Sequence, residues 1–380
     1  WSRLGLVRAV RRAVERLEPP RHLRIIHVVI ARPPRASRGR AAVGACSAFG
    51  AVRLVERLHG GGEPPFQLLP MAGRPVPVLV AGRHIPTQIL DEGGEVLWSH
   101  PAPASDATLL PSGNVLMALY PHGDFPGGGV LEVDRAGEVV FSWKATQDEV
   151  STAQLTGDGR ILVNESGPNP RLLELNRAGE IELQVPLSCQ KSNPHMQTRM
   201  VRKLANGNYL APHLLDFEVL EYDPAGKIVR RIPTDERGRD LRDWPFTAIR
   251  LRGGNTLIGC TNGNRVIEVD AAGKIVWQLT NEDLPSPLID DACGVQRLPN
   301  GNTVITSYHA GPGAVHLLEV TRDKRVVWTL APQFAGIHHL QVLTTPGRPI
   351  AGPPRRSTWG RRRGPRGPPR PTRRPAPPRP

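Results

Sequence analysis

Two segments of the sequence carry side chains suited to binding or transferring an anionic group. The first is SNPHMQTRM, residues 192–200, which contains His195 and Arg199, and the second is the adjacent pair His338 and His339. An arginine fork can hold a sulfate or carboxylate, and a histidine can act as nucleophile or general acid. These four residues are therefore the candidate catalytic residues.

A structural role remains open for the same side chains. His195 can hydrogen-bond a loop of a neighbouring repeat, and Arg199 can pair with a carboxylate, because repeat proteins satisfy polar groups at their junctions. The acidic pairs at 282–283 and 290–291 suggest either a cation site or a solvated loop, and their spacing lacks the calcium-loop pattern, which favours the loop. The sequence contains no GxSxG, HExxH or phosphate-loop motif.

The elements that position these residues follow from a repeat. A turn in which Gly is followed by Asn or Arg and then by a strand-like pair occurs five times, with glycines 46 to 48 residues apart. The five glycines are Gly113, Gly159, Gly207, Gly254 and Gly301. This regular spacing indicates a repeat protein.

A second pattern inside each period predicts a β-hairpin. It is an apolar-Glu-apolar strand that turns, usually through Asp-x-x-Gly, into another alternating strand; Asp or Asn caps the turn, and Gly takes its positive φ. The copies are LEVDRAGEVVF (131–141), LELNRAGEIEL (173–183), LEYDPAGKIVR (220–230), IEVDAAGKIVW (267–277) and LEVTRDKRVVW (318–328). Each period thus holds four short strands, which is typical of a β-propeller blade.

The two ends of the repeat region complement each other. Residues 78–81 and 87–98 match the second to fourth strands of a blade without a first strand, whereas residues 334–343 match a first strand alone. The C-terminal strand is therefore predicted to pair with the N-terminal partial blade, which closes the ring without exposed edges. The predicted fold is an all-β, six-bladed propeller of four-stranded blades.

The segment Asp270-x-x-Gly273-Lys274-x-x-Trp277 resembles the tryptophan-docking repeat of the pyrroloquinoline-quinone-like (PQQ-like) propeller superfamily. The Trp position holds Trp98, Trp277 and Trp328, with Phe141, Leu183 and Arg230 in the other blades. The resemblance covers about 77–345. Quinoprotein dehydrogenases of this superfamily have eight blades and a vicinal disulfide, and because this chain has six predicted blades and no adjacent cysteines, we expect no quinone and no other cofactor or metal.

The chain also looks like six-bladed arylsulfotransferase-like and uncharacterised bacterial propellers. The sulfotransferases use channel histidines, one of them as a transient sulfate carrier, and an arginine. This resemblance implies a sulfate-transfer enzyme using His195 or His338 with Arg199, and it favours an extracytoplasmic or secreted bacterial location. The main interpretation is a binding module, without established catalysis, whose channel mouth takes a small molecule or a partner protein; a scaffold domain of a larger assembly is the third hypothesis.

In a propeller the first strand of each blade lines the axial channel, so residues at its start are candidates for the mouth. These are Asp106, Ser151, Thr152, His195, Arg199, Trp244, Phe246, Asp290, Asp291, Cys293, His338 and His339. Connections between second and third strands add rim candidates, which are His122, Asp124, Tyr308 and His309.

The net charge of +14 divides unevenly along the chain. Residues 77–345 carry −7, whereas the flanks at 1–76 and 346–380 carry +10 and +11, all from arginine without lysine. We expect the first flank to hold at most one amphipathic helix and the Pro-rich tail to be disordered. Nucleic acid could bind only through these flanks; their composition is equally typical of GC-rich sequence translated outside its selected frame.

No run of apolar residues is long enough to span a bilayer, so no membrane span is predicted. The chain begins with Trp1, from which we expect a fragment or a processed product. We expect a monomer.

Overall fold

The computed structural model describes residues 77–190, 193–235 and 243–343, and within these ranges the regular secondary structure is almost entirely β-strand. Two one-turn 3-10 helices, Pro194–Met196 and Asn281–Asp283, interrupt it. The predictions made for the flanks at 1–76 and 346–380 lie outside the described residues.

Twenty-four strands of the described chain form six antiparallel sheets of four strands each, as the repeat predicts. Blade 1 holds β1 (Val78–Gly82), β2 (Ile85–Leu90), β3 (Val96–His100) and β24 (His339–Val342); blade 2 holds β4 (Ala104–Leu109), β5 (Val115–Leu119), β6 (Gly129–Val133) and β7 (Val139–Lys144); blade 3 holds β8 (Glu149–Leu155), β9 (Ile161–Ser166), β10 (Arg171–Leu175) and β11 (Ile181–Pro186). Blade 4 holds β12 (Arg202–Lys203), β13 (Tyr209–His213), β14 (Glu218–Tyr222) and β15 (Ile228–Pro233); blade 5 holds β16 (Trp244–Arg250), β17 (Thr256–Thr261), β18 (Arg265–Val269) and β19 (Ile275–Leu279); blade 6 holds β20 (Ala292–Arg297), β21 (Thr303–Ser307), β22 (Leu317–Val320) and β23 (Val326–Leu330).

The first strands of neighbouring blades contact one another around the axis, as β4 does β8 and β20 does β24. The strand order runs outward from them, so β4, β8, β12, β16, β20 and β24 are the innermost strands. The apolar cores lie between adjacent sheets: Leu116 and Val130 of blade 2, for example, pack with Val150 and Val163 of blade 3.

The ring closes as predicted. Strand β24 pairs antiparallel with β1, with Val342 opposite Val78 and His339 opposite Ala81. The C-terminal strand thereby becomes the innermost strand of the blade that the N-terminal strands begin.

The blade turns use the chemistry that the sequence indicates. In blade 2 the Asp134 carboxylate accepts hydrogen bonds from the backbone N–H groups of Ala136 and Glu138, at 2.8 and 2.9 Å, and Gly137 has φ of 89°. Blade 6 is the exception, because Lys324 takes the positive φ of 64° there.

Two of the predicted tryptophans dock onto the next blade. The Trp98 indole N–H donates to the Arg135 carbonyl at 3.3 Å, and that of Trp277 donates to the Arg322 carbonyl at 2.9 Å. Each bond joins the outer strand of one blade to the hairpin turn of its neighbour.

Closure generates a stability prediction. Deleting residues 334–380 removes β24 and exposes the edge of β1, so we expect aggregation or a fall in Tm of about 10 °C or more. The matched control, deletion of 346–380 alone, retains β24 and should melt like the full chain. Circular dichroism melting and size-exclusion chromatography distinguish the two variants, and equal melting would show that β24 is not needed for closure.

Candidate functional site

We call the end of the channel at which the innermost strands begin the mouth. The second-to-third strand connections of the blades return to the same end. His195 reaches it from the 3-10 helix Pro194–Met196, whose preceding residue, Asn193, accepts a hydrogen bond from the His195 backbone N–H at 3.1 Å.

His195 and Arg199 converge on one carboxylate. Glu149, the first residue of β8, lies 2.9 Å from His195 Nδ1 through its Oε2, and its Oε1 accepts a hydrogen bond from Arg199 Nη1. Arg199 Nη2 donates to the His195 backbone carbonyl at 2.5 Å. Arg199 is 1% exposed, so its charge is fully desolvated and balanced by Glu149.

The protonation of this group follows from its surroundings. Burial opposes ionisation of Glu149, but Arg199 and His195 outweigh it and lower the pKa of the carboxyl from 4.5 to about 2. His195 Nδ1 lies against both Glu149 Oε2 and Arg199 Nη2, a carboxylate that only accepts and a guanidinium that only donates hydrogen bonds. Burial also lowers the pKa of His195, which favours the neutral ring, and its side chain is 35% exposed.

His338 lies in an aromatic cluster. Its ring stacks on Tyr308 with centroids 3.9 Å apart and on Phe246 at 5.1 Å, and its Nδ1 is 2.8 Å from the Tyr120 hydroxyl. His338 is 4% exposed. Burial, together with the charge of Arg199, holds its pKa well below 6.5, so the ring is neutral.

Tyr120 is close both to the His195 and Arg199 side chains and to His338. Its ring centroid is 5.9 Å from Arg199 Cζ, 6.4 Å from the His195 ring and 5.8 Å from the His338 ring. The side chains of three of the four predicted residues, His195, Arg199 and His338, therefore each lie about 6 Å from the Tyr120 ring.

His339 is placed differently from the other three. Its Nδ1 lies 3.3 Å from Oδ1 of the fully buried Asp106, which also receives two hydrogen bonds from Arg202 at 2.8 and 2.9 Å. Neighbouring residues of a strand point to opposite faces, which separates His339 from His338.

Several of the other predicted residues make contacts within the scaffold. Burial raises the pKa of the Cys293 thiol well above 9.0, so it is not a thiolate. Asp291 Oδ2 lies 2.7 Å from His309 Nδ1, and Asp283 pairs with Lys324 at 2.8 Å. In the described ranges no three His, Cys, Asp or Glu side chains are grouped to hold a metal ion.

Backbone strain concentrates at the mouth. Six non-glycine residues of the described chain have positive φ, and all but the turn residue Lys324 lie at this end. The five are Met200, Phe217, Asn262, Asn264 and Asp291, with φ between 44° and 61°. Three of the five are Asn or Asp, which adopt the left-handed region more readily than other non-glycine residues, so Met200 and Phe217 are the strained positions.

Sequence analysis did not identify three residues of the candidate site, which are Glu149, Tyr120 and Arg83. Glu149 opens an innermost strand, so its position was a usable signal. Tyr120 follows β5, and Arg83 lies in the connection between β1 and β2, with its Cζ 5.6 Å from the Tyr120 ring. Their proximity depends on ring closure, which carries no local signal.

Comparisons with known proteins agree with the propeller fold. A family model described as Mal s 1 allergenic protein-like matches residues 130–284. A protein of unknown function from Bacteroides caccae is similar in structure, with 22% identity, a TM-score of 0.61, and coverage of 70% of this chain and 98% of that one.

A catalytically inactive virginiamycin B lyase from Staphylococcus aureus, crystallised with quinupristin, is also similar. Identity is 11%, the TM-score is 0.50, and coverage is 72% of this chain and 92% of the lyase. Both structural likenesses extend to the fold alone. A search of curated proteins finds no match to the sequence.

Among the residues that the structure describes, no helix has the length and apolar character needed to cross a membrane.

The Glu149 contacts predict a pH-dependent loss of stability in Glu149→Gln. Because the folded pKa lies below 4.5, ionised Glu149 stabilises the fold fully above about pH 4.5, and this contribution is lost as pH falls through about 2. The variant should lose on the order of 3 kcal/mol at pH 7, and the gap should narrow towards pH 3.

Urea unfolding followed by tryptophan fluorescence measures this gap. Glu282→Gln, at an exposed position, is the matched control and should unfold like the wild type. Equal stability of Glu149→Gln and wild type at pH 7 would contradict the assigned role of Glu149.

Proposed function

We propose that the protein is a binding module that takes a small organic molecule at the channel mouth. The observation that carries the proposal is an incompletely covered apolar cluster that includes Met196, the neighbour of His195 in the chain. Its buried members are Met200, Leu214, Phe246 and Cys293, and Met196, Trp244 and Tyr308 are only partly covered.

Trp244 adds an aromatic ring to this cluster. Its ring is partly exposed, whereas its Nε1 is buried. A flat ligand would cover the exposed part of the ring together with the apolar surface around it.

The proposal also includes the type of repeat from which the blades are built. We infer that the blades are of the PQQ-like, tryptophan-docking type, and the indole-to-carbonyl bonds of Trp98 and Trp277 support this inference. Sulfate transfer of the arylsulfotransferase-like kind is the second candidate function. It is favoured by one observation, the orientation of His195 by Glu149, which is how enzymes hold a nucleophilic or basic histidine.

The geometry of the mouth limits which residues could take part in sulfate transfer. His338 is enclosed by the rings of Tyr308 and Phe246, so of these two histidines His195 is the one that presents an exposed ring to an incoming sulfate. Arg199 is occupied by Glu149 and by the His195 carbonyl. In such a reaction, His195 Nε2 attacks sulfur, the aryl oxide leaves, and an acceptor phenol then takes the sulfuryl group and gives up its proton.

Binding is tested with the neutral fluorescent probe N-phenyl-1-naphthylamine. Trp244→Ala should weaken its binding about tenfold, because a stacked aromatic surface is worth about 1 to 3 kcal/mol. Trp143→Ala on the outer strand β7 is the matched control and should leave the Kd unchanged. Equal affinity of wild type and Trp244→Ala would show that the mouth is not the binding site.

Sulfate transfer is tested with 4-nitrophenyl sulfate as donor and phenol as acceptor, by release of 4-nitrophenol. If the second candidate is right, His195→Ala abolishes release, and the matched variant of the exposed His309, His309→Ala, retains it. No release by the wild type, or equal release by His195→Ala, rejects this reaction and leaves the binding function standing.

A further inference from the structure

Arg83 differs from the other arginines at the channel. It lies between β1 and β2 at the mouth, its side chain is exposed, and its Cζ sits 5.6 Å from the Tyr120 ring centroid. By contrast, Arg199 pairs with Glu149, and Arg202 pairs with Asp106. Arg83 pairs with no carboxylate within the described ranges.

The positive charge of Arg83 acts on two histidines of the mouth, His195 and His338. Burial is the main cause of the lowered pKa of both His195 and His338, and the positive charges of Arg199 and Arg83 lower both further. Glu149 offsets Arg199, whereas Arg83 pairs with no carboxylate in the described ranges. Arg83 therefore places a positive charge beside the Tyr120 ring.

A series of ring contacts links Arg83 to the aromatic surface. The Tyr120 ring beside Arg83 lies 5.8 Å from His338, and Tyr308, which stacks on His338, is partly exposed and belongs to the same apolar cluster as Trp244. A guanidinium fork recognises carboxylate and sulfonate oxygens with two parallel hydrogen bonds, and partly exposed rings accept a flat partner. A ligand that uses both must carry an anionic group at the edge of an aromatic body.

We propose that the mouth binds planar aromatic anions, namely aromatic carboxylates or sulfonates, with Arg83 on the anionic group and Trp244 and Tyr308 on the ring. The proposal rests on the proposed binding function and adds the substrate class. Arg83 is the specificity-determining residue, because removing its charge changes which ligands bind without removing the surface on which they lie.

The test compares two probes that share a naphthalene ring bearing an anilino group. 1-Anilinonaphthalene-8-sulfonate carries a sulfonate, and N-phenyl-1-naphthylamine carries none. Arg83→Met should weaken binding of the sulfonate about tenfold, the value of one charge-assisted hydrogen bond, and should change the Kd of the neutral probe less than about twofold. Binding of the sulfonate to wild type should also weaken with added salt.

The matched control is Arg252→Met, which removes the same charge from an exposed turn between β16 and β17 at the opposite end of the channel. It should leave both affinities unchanged. If Arg83→Met leaves the sulfonate affinity unchanged while Trp244→Ala weakens both probes, the anion proposal is overturned and the binding function survives. If Trp244→Ala affects neither probe, the binding function itself fails.

Discussion

The inner edges of the six sheets impose the constraint on which the rest of the structure depends. Each innermost strand pairs on one side only, so N–H groups on its other edge need acceptors. Side chains of the preceding blade supply them: Asp106 Oδ2 accepts from Ala153 N at 3.2 Å, and Gln341 Oε1 accepts from Leu109 N at 2.8 Å. Thr152, Gln154 and Gln296 do the same for Val201, Lys203 and Val342. Polar residues within the channel are thus committed to holding the ring together.

This commitment divides the channel histidines into two kinds. His339 lies beside Asp106, a residue that caps an inner edge and also binds Arg202, so its surroundings belong to the scaffold. His195 precedes its strand, in a 3-10 turn, and only its Nδ1 is used by Glu149. The side chains that are not committed to the inner edges therefore lie where the strands have not yet begun.

Local chemistry explains how much of the fold could be predicted. Each hairpin is specified by its own Asp, Gly and alternating residues, so strand number, blade number and closure were all readable. The tryptophan position was harder. Arg230 departs from the pattern, yet its Nη2 donates to the Asp270 carbonyl at 2.6 Å, replacing the indole N–H as a donor to the next blade. A pattern of residue types misses this equivalence, because the bond requires only a donor of sufficient reach.

The site was less predictable because it is assembled from distant segments. Strand position identified the mouth, but His195 meets Glu149, 46 residues away, and His338 meets Tyr120, 218 residues away. Alternation along β24 would have separated His338 from His339, so that distinction was within reach of the sequence. The partners were not, since they depend on the angular order of the blades.

Net charge was an equally poor guide to the mouth. The repeat region carries −7, yet Arg83 lies 5.6 Å from the Tyr120 ring centroid at the mouth and pairs with no carboxylate in the described ranges. Many acidic residues of the repeat region pair with arginines at blade junctions, as Glu268 does with Arg297 and Arg322. Exposed charges beyond about 8 to 10 Å are screened at physiological salt, so acidic turns at the far end contribute little to the potential at the mouth. The charges that an approaching ligand meets are therefore those of the mouth itself, which include Arg83 and the exposed Asp124 and Asp290.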